Sequence, residues 1–196
     1  MQLDMASEPV QRTILELVKH GVAVTSTLAV FENAPPLQPR FLDALSPGMA
    51  LSYLASRARI TEERSHRSKM EIRKELEFER AFVKAGGLLM AGADPTGNGS
   101  ALAGFADQRN IELLVEGGFT PVEAIHIATW NGAKFLGLEN QIGSIAPGKQ
   151  ADLAVIEGDP STRIADIEKV RIVFKDGVGY DSAKLLESVR GSVGMH

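Results

Sequence analysis

Asp94 closes the apolar run 88–94 (LLMAGAD), and the glycine-rich stretch 95–104 follows it directly. That order reads as a buried strand feeding a loop. In parallel α/β architectures, ligand and catalytic groups gather at the C-terminal edge of the strands. A carboxylate placed there can ligate a metal or act as general base on a metal-bound water. A third reading is local: Asp94 closes an Asx-turn with the residues that follow it. Residue type and position leave all three open.

Other chemistries fit less well. Gly97, Gly99 and Gly104 suggest a dinucleotide fingerprint, but Leu102 occupies the position where the third glycine belongs. No Gly-Lys-Ser/Thr is present, and Gly148-Lys149-Gln150 falls in a stretch that reads as a β-hairpin. The absence of cysteine excludes disulfides, thiolate zinc sites and a cysteine nucleophile. Of the four histidines, His20 ends a helical stretch and His66 lies in a charged one. His126 sits beside the apolar face of 121–130, and His196 is the last residue. None forms His-x-His, and a catalytic zinc typically takes three protein ligands, so all four read as surface or packing residues.

The elements that must position Asp94 follow from pattern. Residues 9–20 repeat apolar side chains at helical spacing, start at Ser7 or Glu8 and stop at Gly21. GVAVTSTLAV (21–30) is rich in β-branched residues and reads as a buried strand ending near a turn at 33–36. Residues 37–85 read as helical, broken by Pro39 and Pro47, with a long charged helix over 61–84. From Arg57 to Ala85 there are nine basic and six acidic residues, which reads as a solvated face laced with i,i+4 pairs around Glu71 and Glu75.

A helix is expected over 105–116. Thr120-Pro121-Val122-Glu123 predicts a capping box opening a helix that reaches Trp130, and Asn131 is the expected cap of a last short helix. From Gln141 onward the texture becomes short strands, with a hairpin turn at Asp176-Gly177 and a terminal helix over 181–190.

The bulk properties bound the function. The 196 residues are 44% hydrophobic and 23% charged, with 21 Lys plus Arg against 25 Asp plus Glu. So small a net charge, evenly spread, argues against nucleic acid. No apolar run approaches the roughly 20 residues that span a bilayer, so no membrane association is expected. The first residues lack a basic secretory n-region, and a cytoplasmic chain is the default. The length falls short of the roughly 250 residues of a full (β/α)₈ barrel.

Four segments, AGADPTGNG (91–99), LLVEGGFTPVEAIHIATWNGAKFLGL (113–138), IGSIAPGKQADLAVIEGDP (142–160) and VFKDG (173–177), together resemble the C-terminal part of the amidohydrolase superfamily in its imidazolonepropionase-like branch. The resemblance covers roughly residues 8–194 and keeps motif order and spacing. It implies an α/β chain: the last two βα units of a (β/α)₈ TIM-like barrel over 1–138, with a helical insertion over 36–85. The C-terminal strands of a composite β-sandwich, with a terminal helix, would follow over 139–196. The stretch 21–30 would be the seventh barrel strand and 88–94 the eighth.

By the same resemblance, Asp94 matches the aspartate that touches the metal, deprotonates the attacking water and protonates the leaving nitrogen. Thr25, Thr27 and Asn98 are further pocket candidates, with strand packing and turn chemistry as their other reading. The implied cofactor is one or two divalent ions, Zn²⁺ by expectation, and the implied substrate is a small molecule with an amide, cyclic amide or amidine-type C–N bond.

The resemblance also has a gap. The family's His-x-His, its carboxylated lysine or glutamate and its two single histidines have no counterparts in this sequence. The expectation is therefore a C-terminal portion of such a hydrolase. The alternative is a catalytically incomplete, non-catalytic assembly or binding module. Either a homo-oligomer or a separate N-terminal half is the expected partner.

Overall fold

The computed structural model describes residues 4–32, 39–59, 62–95 and 101–193. Helix α1 (Glu8–Lys19) takes Pro9 in its first turn and buries Ile14 on its apolar face. It leads into β1 (Ala23–Ser26), which pairs in parallel with β2 (Leu88–Ala91), Ala23 opposite Leu88 and Ser26 opposite Ala91. A parallel pair needs a long crossover. Here it is helical: α2 (Leu28–Phe31), α3 (Pro39–Ala44), α4 (Pro47–Ala58) and the 23-residue α5 (Glu62–Lys84).

After β2 come α6 (Phe105–Glu116), α7 (Pro121–Ala128) and α8 (Trp130–Phe135). The C-terminal region holds β3 (Leu153–Ile156), a 3₁₀ turn (Ile164–Glu168), β4 (Val170–Lys175), β5 (Val178–Asp181) and α9 (Ser182–Ser188). Strands β3, β4 and β5 form an antiparallel sheet in chain order.

Pleat decides which side of the parallel pair is covered. Val24, Leu89 and Ala91 face the main core, where they pack with Leu28 of α2, Ile72 and Leu76 of α5, Leu113 and Leu114 of α6, and Ile127 of α7. Ala23, Thr25, Leu88 and Met90 alternate to the opposite side. Thr25 is exposed there, because nothing among the described residues packs over it. A second cluster joins Phe41, Leu45 and Tyr53 of the helical crossover to Leu102, just ahead of α6. The chain end reinforces it: Val193 bridges Leu45, and its amide donates to the Ala44 carbonyl at 2.9 Å.

Several expectations are met locally. The helices at 105–116 and 182–188 form, and Thr120 and Glu123 make the full capping box. Asp176 and Gly177 both adopt left-handed backbone (φ 50° and 79°), the requirement of a two-residue hairpin turn.

Other expectations need correction. The strand expected over 21–30 ends at Ser26, because Thr27 opens the short helix α2. The strand expected over 88–94 ends at Ala91, since Asp94 turns left-handed. The helix expected through Trp130 breaks at Thr129, whose backbone leaves helical geometry. Asn131 is not a cap: it lies within α8, and its Nδ2 donates to the Leu89 carbonyl at 2.7 Å, tying α8 to β2.

Gly148-Lys149-Gln150 is a turn rather than a hairpin, because Lys149 folds back onto the carbonyls of Glu139 and Ile142. Among the described side chains of α5, Arg73 and Lys74 pair with Glu77. His126 is exposed and lies against Trp130, ring centroids 6.3 Å apart. The turn expected at 33–36 lies outside the described residues.

Candidate functional site

Parallel pairing places the C-terminal ends of β1 and β2 at one edge. The ladder runs one bond beyond the strands, because the Gly92 amide donates to the Ser26 carbonyl at 2.9 Å. The strands approach closely here: a methyl group on Gly92 would sit 3.3 Å from Thr25 Cγ2. Ala93 is buried, and Asp94 then emerges with φ 42° and an exposed side chain. Aspartate is among the few non-glycine residues that tolerate this region. The carboxylate therefore stands at the sheet edge, beyond the last rung, where it can accept a proton or a cation from solvent.

Of the expected site residues, Thr25 and Asp94 belong to this edge and are exposed. Thr27 is half-buried at the start of α2, where its carbonyl accepts from the Val30 amide at 3.1 Å. Asn98 lies outside the described residues.

Beneath the edge lie three buried polar residues that pattern reading passed over. Asn110 of α6 is fully buried; its Nδ2 donates to the Ser26 carbonyl at 3.1 Å and its Oδ1 accepts from the Ala29 amide at 3.2 Å. Glu79 of α5 is 1% exposed and faces Ser26, itself fully buried. Neither Ser26 Oγ nor Glu79 Oε2 makes a geometrically sound hydrogen bond.

Burial pushes the Glu79 carboxyl up to about 7; the nearby Ser26 hydroxyl opposes this and the Glu75 charge adds to it. The signal for these residues was present in the sequence. Asn110 occupies an inward position of the stripe Ala106, Leu113, Leu114, and Glu79 falls on the stripe of Ile72, Leu76 and Val83. A polar residue on an apolar stripe calls for a buried partner.

No three His, Cys, Asp or Glu side chains converge to hold a metal ion among the described residues. His20 lies 3.4 Å from Glu16, and His66 is exposed on α5. The described residues thus do not by themselves fit a catalytic metal. No helix among them is long and apolar enough to cross a membrane.

Comparison with known proteins places this arrangement. The model of the amidohydrolase family matches residues 12–178. A 5-methylthioadenosine/S-adenosylhomocysteine deaminase of Teredinibacter turnerae is 39% identical over 83 residues, which is 39% of this chain and 19% of that enzyme. An N-acetylgalactosamine-6-phosphate deacetylase of Escherichia coli O157:H7 is 41% identical over 59 residues, 30% of this chain and 15% of that enzyme. The chain thus matches less than a fifth of the length of either relative.

The crystal structure of an amidohydrolase superposes with a TM-score of 0.62 at 23% identity, covering 87% of this chain and 37% of that one. At that identity the likeness concerns the fold. On the family match, which spans both strands of the parallel pair and most of the antiparallel sheet, this chain belongs to the amidohydrolase family.

Proposed function

We propose that this chain is the C-terminal portion of a metal-dependent amidohydrolase that cleaves a C–N bond of a small molecule: a non-peptide amide, a cyclic amide or an amidine-type group. The observation that carries the reading is the position of Asp94, just past β2 on the edge it shares with β1. Residues 1–138, with the 36–85 helical insertion, are the last two βα units of a barrel. Residues 139–196 are the C-terminal share of a composite sandwich.

In this reading Asp94 takes a proton from the attacking water and returns it to the leaving nitrogen, and it is also a metal ligand. Thr25 and Thr27 line the pocket. The metal of the complete enzyme is Zn²⁺, and its other ligands come from outside the described residues. The exposure of Thr25, on a two-stranded parallel pair whose Ala23, Leu88 and Met90 are only partly buried, supports this reading, because parallel sheets are normally covered on both faces and paired at their edges.

Two measurements test the proposal. Coding sequence upstream of Met1 should continue in frame and contain His-x-His. In the protein so encoded, Asp94→Asn should abolish amide or amidine hydrolysis while the fold is kept. Retained activity in Asp94→Asn would overturn the assignment of Asp94. Stoichiometric zinc and turnover by residues 1–196 alone would overturn the partial-enzyme reading. A chain that is oligomeric and inactive, with no such upstream sequence, would instead show the non-catalytic assembly module.

A further inference from the structure

We propose that Asn110 is a positioning residue for the β1–β2 edge, its single carboxamide setting the backbone of 26–29 against Gly92. The inference rests on the reading of that edge as the active site, because its value lies in where it leaves Thr25, Thr27 and Asp94.

Three hydrogen bonds carry the argument. Asn110 Nδ2 and the Gly92 amide both donate to the Ser26 carbonyl, at 3.1 and 2.9 Å, and the Ala29 amide donates to Asn110 Oδ1 at 3.2 Å. One planar group on α6 therefore holds the end of β1 through a carbonyl and the start of α2 through an amide. The same carbonyl carries the last rung to β2, two residues before Asp94. Helix α6 begins at Phe105, after β2 in the chain, so the side chain ties an element that follows β2 to the end of β1 and the start of α2.

The task is specific to a carboxamide, which offers a donor and an acceptor at once. Leucine of similar volume would leave the Ala29 amide buried without a partner. Ionised aspartate would still accept from Ala29 but would turn an oxygen lone pair toward the Ser26 carbonyl. Neutral aspartic acid would restore the donor.

The test is amide hydrogen exchange, read by NMR as protection factors on residues 1–196, in Asn110→Leu and Asn110→Asp. In Asn110→Leu, protection at Ala29 should fall about tenfold. In Asn110→Asp near pH 8, Ala29 should stay protected while Gly92 loses about tenfold. Near pH 5, where burial keeps the new carboxyl neutral, Gly92 should return to within about twofold of the parent. Val173 and Tyr180 of the antiparallel sheet serve as distant controls and should not move.

Equal loss at the controls, or no recovery of Gly92 at acid pH, would overturn the proposal. Should Asn110→Leu fail to fold, the pH pair of Asn110→Asp decides alone. The active-site reading fails separately: hydrolysis surviving Asp94→Asn would remove it and leave this exchange pattern untouched.

Discussion

Arg109 grips both oxygens of Glu32, Nε to Oε2 and Nη2 to Oε1, each at 2.8 Å. The fork ties the residue after α2 to the middle of α6. The same guanidinium reaches Glu112 at 2.9 Å and Glu116 at 2.7 Å. Burial alone would disfavour its charge, but the hydrogen bonds that it donates to Glu32 and Glu116 reverse this and hold its pKa above the ordinary range. Burial likewise raises the pKa of Glu112, against the pull of Arg109.

Lysine cannot reproduce a bidentate fork. Arg109→Lys should lower unfolding free energy by about 1 kcal/mol in urea titration. Arg109→Met should cost about 3 kcal/mol, because Glu32 and Glu112 would remain largely buried without their cation. Equal stability of all three proteins would refute the structural role assigned to the fork.

Glu79 predicts a pH dependence of definite sign. Its carboxyl is raised from 4.5 to about 7 in the folded chain, so the fold binds this proton more tightly than the unfolded state does. The associated stability is complete below about pH 4.5 and is lost as pH rises through about 7. Glu79→Gln should therefore match the parent near pH 4 and exceed it by up to about 3 kcal/mol near pH 8.5. Denaturant titrations at the two pH values give the difference directly; a difference that did not grow with pH would show that Glu79 is ionised throughout.

Lys149 is expected to anchor the turn ahead of β3. Its ammonium lies 4.6 Å from the Trp130 ring centroid and donates to Ser144 Oγ at 2.6 Å, besides the Glu139 and Ile142 carbonyls. Lys149→Met should cost about 2 kcal/mol, from the lost cation–π contact and the unpaired carbonyls. Trp130 is the one tryptophan of the chain, so its emission should shift in the native protein. Unchanged emission would show that the contact does not persist in solution.

Asp94 should be dispensable for stability. At φ 42° the backbone favours glycine, so Asp94→Gly should melt at or above the parent temperature, by no more than about 1 kcal/mol equivalent. Asp94→Val should lose about 2 kcal/mol, since a β-branched residue is strained there. Marked destabilisation by glycine would mean that the carboxylate serves the fold.

What the sequence carried on its own was whatever neighbours in the chain can settle. The capping box of Thr120 and Glu123, the Asp176-Gly177 turn and the helix over 105–116 each depend on residues a few positions apart. Local backbone preference and helical spacing therefore sufficed to read them. Motif order likewise marked the family, and the C-terminal edge of a strand marked Asp94.

The limits of β1 and β2 were not legible, because a strand ends where its partner stops pairing, and that partner lies more than 60 residues away in the chain. Nor were the roles of Asn110 and Glu79, although both stand out as polar residues on apolar stripes. Pattern shows that such a residue must be buried. Only the packing of α5 and α6 on the parallel pair decides that Asn110 meets Ser26 and Ala29 and is satisfied, while Glu79 faces a serine hydroxyl and its Oε2 gains no sound hydrogen bond. Burial is a property of spacing along one element, whereas hydrogen-bond satisfaction is a property of two elements brought together.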